Sequence, residues 1–134
     1  MQLRRFEVVW FLPRREGFFV SFSAKTRKHG SATIIDLHGR LTIMEGEALH
    51  DLCLELIRDG RKLIVLNFRD VDYLDSSGIG QLVRSLFAAR RHNADICAVD
   101  LSARSREILR MANLHTVISD FPDESTALET LSSS

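Results

Sequence analysis

The chain reads as a single α/β domain: a mixed β-sheet that opens on an antiparallel hairpin and continues in parallel strands, with about four helices. Three observations predict this. Residues 20–27 alternate, with Val20, Phe22, Ala24 and Thr26 set against Ser21, Ser23, Lys25 and Arg27, and a glycine-containing turn follows. Beyond Gly39 the apolar spacing changes from the period of a strand to that of a helix, and strand-like and helix-like segments then alternate. Leu63-Ile64-Val65-Leu66-Asn67-Phe68 is apolar on both faces apart from Asn67, which suits a central strand covered on both sides. Strand–helix–strand alternation implies right-handed crossovers between parallel strands.

Taken in order, residues 1–19 form an N-terminal leader or an extra strand over 6–12, with a turn over 13–17. A strand is favoured because it would take Trp10, Phe11, Phe18 and Phe19 out of water. The main domain spans 20–131. Lys28-His29-Gly30-Ser31 is a hairpin turn, and the return strand covers 32–38 with Ile35 and Leu37 on one face and Ile34 on the other. Gly39 ends it, and 41–45 is a connection. Residues 47–59 form an amphipathic helix with Leu49, Leu52, Cys53, Leu56 and Ile57 inward and Glu47, Asp51, Glu55 and Arg58 outward. Gly60 stops it. After the apolar strand at 63–68, a second helix buries Ile79, Leu82, Val83, Leu86 and Phe87 and turns Gln81, Arg84, Ser85, Arg91 and His92 outward. A short strand follows at 95–99. Ser102 caps a third helix, 103–113, that buries Ile108, Leu109 and Ala112. A last short strand lies within 117–121, and Asp123 caps a final helix, 124–131, with Ala127, Leu128 and Leu131 inward. Residues 132–134 are a tail.

Composition narrows the function classes. With 134 residues, 45% hydrophobic and 27% charged, the chain suits one soluble globular domain. Lys+Arg and Asp+Glu are 18 each, so no basic excess drives direct nucleic-acid binding. No run reaches the roughly 18 apolar residues needed to span a bilayer. Arg4 and Arg5 precede a short apolar run, but Pro13-Arg14-Arg15-Glu16 interrupts it and no small-residue cleavage site follows, so a cytoplasmic location is expected. Cys53 and Cys97 fall within apolar segments and read as buried thiols. The five histidines have no metal-ligand spacing and read as surface or loop residues.

The chemically distinctive stretch is Asp72-Tyr73-Leu74-Asp75-Ser76-Ser77-Gly78-Ile79-Gly80, where a strand hands over to a helix. Sites in open α/β sheets gather beyond the carboxyl ends of strands. It is not a nucleophile elbow, because Asp75 stands where Gly-x-Ser-x-Gly needs its first glycine. It lacks the lysine of a phosphate loop, and Val83 takes the place of the third glycine of the dinucleotide fingerprint. Asp70, Asp72 and Asp75 suit strand ends and a helix start better than a metal site. No catalytic residue, metal or cofactor is therefore assigned. Asp75 or Ser76 caps the second helix. A cap needs one small polar residue, yet three stand here, followed by glycines that each lower helix propensity by about 1 kcal/mol. Close backbone approach and an exposed hydroxyl are expected. Ser77, in the first helical turn, can accept a phosphoryl group whose charge of about −1.5 to −2 is tolerated at a helix N-terminus.

Ile34-Ile35-Asp36-Leu37-His38-Gly39-Arg40-Leu41, Ile64-Val65-Leu66-Asn67-Phe68 and Val71-Asp72-Tyr73-Leu74-Asp75-Ser76-Ser77-Gly78-Ile79-Gly80 together resemble the STAS domains of anti-sigma factor antagonists, over about residues 20 to 131. The resemblance implies a regulatory binding protein and not an enzyme. Such antagonists bind an anti-sigma factor that is commonly also a serine protein kinase, and so free a sigma factor. The kinase phosphorylates the second serine of the motif, here Ser77, which ends the interaction, and a serine phosphatase resets it. The resemblance matches Asp75 to the acidic residue that supports phosphorylation and recognition, and makes Ser76 its structural neighbour. Asp72, Gly78, Ile79 and Gly80 complete the partner-facing motif. Thr42 stands where many members carry an acidic residue in a loop near the partner surface. The leader has no family counterpart and offers an added strand or a homodimer contact. The alternative is an unphosphorylated STAS scaffold or accessory subunit of a transporter or signalling complex. A ligand-handling site built on Asp72, Asp75 and Ser77 is the third reading.

Overall fold

The computed structural model describes residues 7–14 and 17–132, and side chains from Phe22 to Leu131. The elements in chain order are β1 (Glu7–Arg14), β2 (Gly17–His29), β3 (Ala32–Leu41), α1 (Ile43–Arg58), β4 (Leu63–Leu74), α2 (Ser76–Arg91), β5 (Asp95–Val99), α3 (Ala103–Met111), β6 (Ser119–Phe121) and α4 (Glu124–Ser132). The strands form one sheet in the order β1-β2-β3-β4-β5-β6. β1–β2 and β2–β3 are antiparallel. β3–β4, β4–β5 and β5–β6 are parallel. The expected mixed sheet, hairpin first and parallel strands after, is therefore the observed one, with four helices among the described residues.

β1 lies at the sheet edge, the position in a sheet at which a proline such as Pro13 is tolerated. The side chains of Trp10, Phe11, Phe18 and Phe19, expected to be covered, and the tail residues 133–134 lie outside the described residues. The hairpin turn holds Gly30 at φ 60°, in the left-handed region that glycine adopts without a Cβ penalty.

Two apolar clusters sandwich the sheet. On one face, α1, α2 and α3 cover Phe22, Ile35, Leu37, Ile64, Leu66 and Ile96. On the other, α4 brings Ala127 onto Ile34, Val65, Cys97 and Val99. Ile34 thus faces away from Ile35 and Leu37, as the strand alternation requires. β4 is buried on both faces over Ile64–Leu66 because it has helices on each side, which explains its unbroken apolar run. Both cysteines are free and buried, and burial pushes their thiols up to about 12. They are small core hydrophobes.

The far face is closed by a polar clamp. The Arg27 guanidinium donates to Asp36 Oδ1 at 2.9 Å and to Glu124 Oε1 at 2.7 Å. Asn67 Nδ2 donates to the same Asp36 oxygen at 2.9 Å. The Arg27 hydrogen bonds hold the Asp36 carboxyl below its ordinary range. β2, β3, β4 and the first turn of α4 are thereby tied together.

Several boundaries differ from the sequence reading. β3 continues through Gly39, whose φ of 103° accommodates a register irregularity, and ends at Leu41. α1 starts at Ile43, not at 47: Thr42 is its N-cap, and the Thr42 N–H and hydroxyl both donate to Glu45 Oε1. β4 runs on to Leu74 through a polar stretch that reads as loop. α3 ends at Met111, and Ala112 is exposed. Ser102 and Asp123 do cap: Ser105 N–H donates to Ser102 Oγ at 3.0 Å and Thr126 N–H to Asp123 Oδ1 at 2.8 Å.

Candidate functional site

The end of β4 is bent before it reaches the serines. Opposite β3, Asp36 pairs with Asn67 and His38 with Asp70, and then Gly39 pairs with Val71 and Arg40 with Tyr73. The second irregularity leaves Asp72 without a β3 partner, so Asp72 is the extra residue of a bulge. β5 pairs β4 only as far as Asn67, so the strand from Phe68 onward projects beyond it. Tyr73 and Leu74 resume the register and alternate, Leu74 into the core and Tyr73 outward. The Arg40 guanidinium carbon lies 5.6 Å from the Tyr73 ring centroid, a cation–π distance.

Asp75 is the N-cap of α2, with extended backbone, and its Oδ1 accepts the Gly78 N–H at 2.9 Å. The Asp75 carbonyl accepts the Ile79 N–H at 3.0 Å and starts the helix. Of the two residues expected to cap, Asp75 does so, and Ser76 is already the first helical residue. Ser76 and Ser77 are both exposed, in the turn whose N–H groups have no intrahelical acceptor.

The two glycines of the motif differ in purpose. A Cβ built on Gly78 would stand 2.1 Å from the Leu41 carbonyl oxygen, so only glycine lets the start of α2 press on the end of β3. Gly46 plays the matching part from α1, where a Cβ would meet the Gln81 Cβ at 2.7 Å. Gly80 has nothing within 4 Å of its Cβ position, and its missing side chain leaves the surface open. It lines a groove of about 370 Å³ between the start of α2 and α3, with Ser76, Ile79, Ile108, Met111, Ala112 and Leu114.

The starts of α1 and α2 therefore lie side by side beyond the strand ends. Thr42, expected in a loop, is part-buried at the α1 cap. The carboxylate nearest that place belongs to Glu45, which is buried and turned back on Thr42. The first two residues of α1, Ile43 and Met44, are exposed, as is Tyr73. Ile43 and Met44 lie within 41–45, which the sequence pattern presents as a connection. An Ile-Met pair in a supposed loop was the available signal.

Three other expectations fail on α1 and α2. Ser85, placed on the outer face, is 1% exposed, and His50, read as a surface histidine, is 4% exposed. They meet across α1 and α2: His50 Nδ1 is 2.9 Å from Ser85 Oγ, and Ser85 Oγ lies 3.0 Å from the Gln81 carbonyl. The serine hydroxyl donates its only proton to Gln81, so His50 Nδ1–H donates to Ser85. Burial, and then Arg84, keeps His50 below its ordinary value. Phe87, read as core, is 47% exposed.

Among the described residues, no three His, Cys, Asp or Glu side chains group as a metal site, and no helix is long and apolar enough to cross a membrane. A family model described as "Mlab, STAS domain" matches residues 24–119. The chain belongs to this STAS family. A search of curated protein sequences returned no significant match. The STAS fold is shared with a putative anti-sigma factor antagonist from Thermotoga maritima, at TM-score 0.74 and 19% identity over 80% of this chain and 92% of that one. It is also shared with the phosphorylated form of the Bacillus cell fate determinant SpoIIAA, at TM-score 0.62 and 19% identity over 81% of this chain and 98% of that one. A third likeness is to the murine anion transporter Slc26a9, at TM-score 0.68 and 13% identity, over 82% of this chain but only 19% of the transporter chain.

Proposed function

We propose that this STAS domain is an anti-sigma factor antagonist: it binds an anti-sigma factor that is also a serine kinase, releases a sigma factor, and is switched off by phosphorylation of Ser77. The observation that carries the reading is the position of Ser77. It is exposed one residue into a helix whose cap is already supplied by Asp75, so its hydroxyl has no structural duty. A phosphate there gains from the helix dipole and displaces nothing. Ile43, Met44 and Tyr73 supply the apolar contact beside it. That SpoIIAA is known in a phosphorylated form supports the switch. Asp75 then positions the serine turn, and Asp72, on its bulge, faces the partner. Ahead of a domain spanning 20–131, the N-terminal segment offers an added edge strand, β1, or a homodimer contact. The protein works in the cytoplasm as a binding module without catalysis, cofactor or metal, and a serine phosphatase restores it.

The test is phosphate incorporation from ATP by the captured kinase. One phosphate on the wild type and none on Ser77→Ala supports the proposal. Phosphate on Ser76, or persisting on Ser77→Ala, refutes the site. The second reading, an unphosphorylated accessory subunit of a transporter, is favoured by the likeness to Slc26a9. It predicts capture of a transport ATPase with no dependence on Ser77.

A further inference from the structure

The exposed face of α2 beyond the serines has a pattern of its own. Ser77, Gly80, Arg84, Phe87 and Arg91 are all exposed and recur at intervals of three and four, so they form one stripe along the helix. It extends over about 21 Å at 1.5 Å per residue. α2 contains no acidic residue at all. Among the described residues Arg84 and Arg91 form no ion pair; Arg84 Nη1 donates only to Gln81 Oε1 at 3.2 Å. Arg90, off the stripe, is instead committed to Asp95 and to the Val117 carbonyl. Phe87 sits between these two arginines on the stripe, 47% exposed. At the serine end the stripe opens into the Gly80 groove, where Ile79, Ile108, Leu114 and the 80% exposed Met111 are apolar.

We infer that this stripe and its groove dock an amphipathic helix of a partner protein, one that places an apolar side chain in the Gly80 groove, another on Phe87, and carboxylates on Arg84 and Arg91. Charge and width select this occupant. The stripe is one helix wide, and α1 beside it exposes Glu47, Asp51 and Glu55. An extended polyanion or an anionic bilayer would meet those carboxylates, whereas a single acidic helix lying along α2 would not. Apolar anchors at helical spacing are what a helix-in-groove partner requires. The inference rests on the reading of α2 as partner-facing and gives it a chemistry: phosphate on Ser77 would add negative charge at the end of a stripe that receives carboxylates, and so would repel that helix.

The experiment uses the full unphosphorylated chain and a synthetic helical peptide with two glutamates seven residues apart and leucines at the positions facing Phe87 and the groove. NMR titration should shift amides of 77–91 and 108–114, and affinity should fall with added salt. Arg84→Glu with Arg91→Glu should weaken binding at least tenfold. A peptide with lysine in place of both glutamates should bind that variant and not the wild type. All altered side chains are exposed, so the variants fold, and unchanged amide spectra away from α2 verify it. No shifts, shifts elsewhere, or no response to the charge reversal overturns the inference. Tighter binding to a DNA duplex or to phosphatidylglycerol vesicles than to the peptide also overturns it. The titration involves neither kinase nor phosphate, so its failure is distinct from failure of Ser77 to be modified.

Discussion

Gly78 decides the local geometry more than either serine does. Its Cβ position lies 2.1 Å from a backbone oxygen that cannot rotate away, so Gly78→Ala should destabilise the protein by about 3 kcal/mol in urea unfolding. A change under about 0.5 kcal/mol would show that the close approach of α2 to β3 is not required. Gly80→Ala, with open space at the same atom, should not destabilise. The sequence indicates that a glycine here allows close backbone approach, but not which one, because both stand in the same motif and only the packing of α2 on Leu41 separates them. His50 was misread for a similar reason. A lone histidine on a helix carries no sign of the serine it will meet on another. Its ordinary value of 6.5 is lowered by burial and by Arg84 and Arg91 of α2, against Asp51 and Glu47 of α1. The unfolded chain thus takes up the proton first as pH falls. Stability from His50 is complete above about pH 6.5 and declines below it. Urea midpoints measured from pH 7.5 downward should show that slope in the wild type, and His50→Gln should flatten it. Asp36, also lowered, acts in a separate window below its ordinary 3.8, where loss of its charge releases Arg27.

At the scale of elements, apolar patterning located the strands and helices past residue 20, by a single buried face in the amphipathic helices and by an unbroken apolar run in β4. It failed at ends, where backbone hydrogen bonding continues after the apolar pattern stops. β4 runs on through Arg69, Asp70 and Asp72 because its β3 ladder and two bulges carry it, not its side chains. α1 gains an extra turn from Thr42 and Glu45, a Thr-x-x-Glu spacing that is legible as a helix start. At the α2 start, Asp75→Ala should cost about 1 kcal/mol by orphaning the Gly78 N–H, with Ser76→Ala near neutral, measured by thermal unfolding. Equal effects would mean that the cap is shared. On the far face, α4 is held at its first turn by Arg27. Arg27→Met should speed amide exchange in 124–132 by roughly two- to fivefold, the scale of a partly exposed ion pair, and leave β4 protected. Unchanged exchange would assign α4 docking to Ala127 and its apolar neighbours alone.

At the scale of the molecule, the sheet and its crossovers bring the starts of α1 and α2 together beyond the strand ends, and the serine motif lies there as its position after a buried strand implied. The apolar frame around it was less legible. Ile43 and Met44 belong to a helix that had read as loop, while Phe87 and Ala112 had read as core. An apolar residue at helical spacing is assigned to the interior by pattern, and pattern alone does not tell which such residues the tertiary packing leaves exposed. In the proposed function, Ser77 is a point at which one charge alters a docking surface without altering the fold. The most direct measurement is quantitative affinity capture from native cells with the wild type, Ser77→Ala, Ser77→Asp and Ser76→Asp. The expected result is a serine-kinase anti-sigma factor bound by the wild type, Ser77→Ala and Ser76→Asp and lost from Ser77→Asp, with all four proteins equally stable. Capture of that same partner by Ser77→Asp at wild-type level would contradict it.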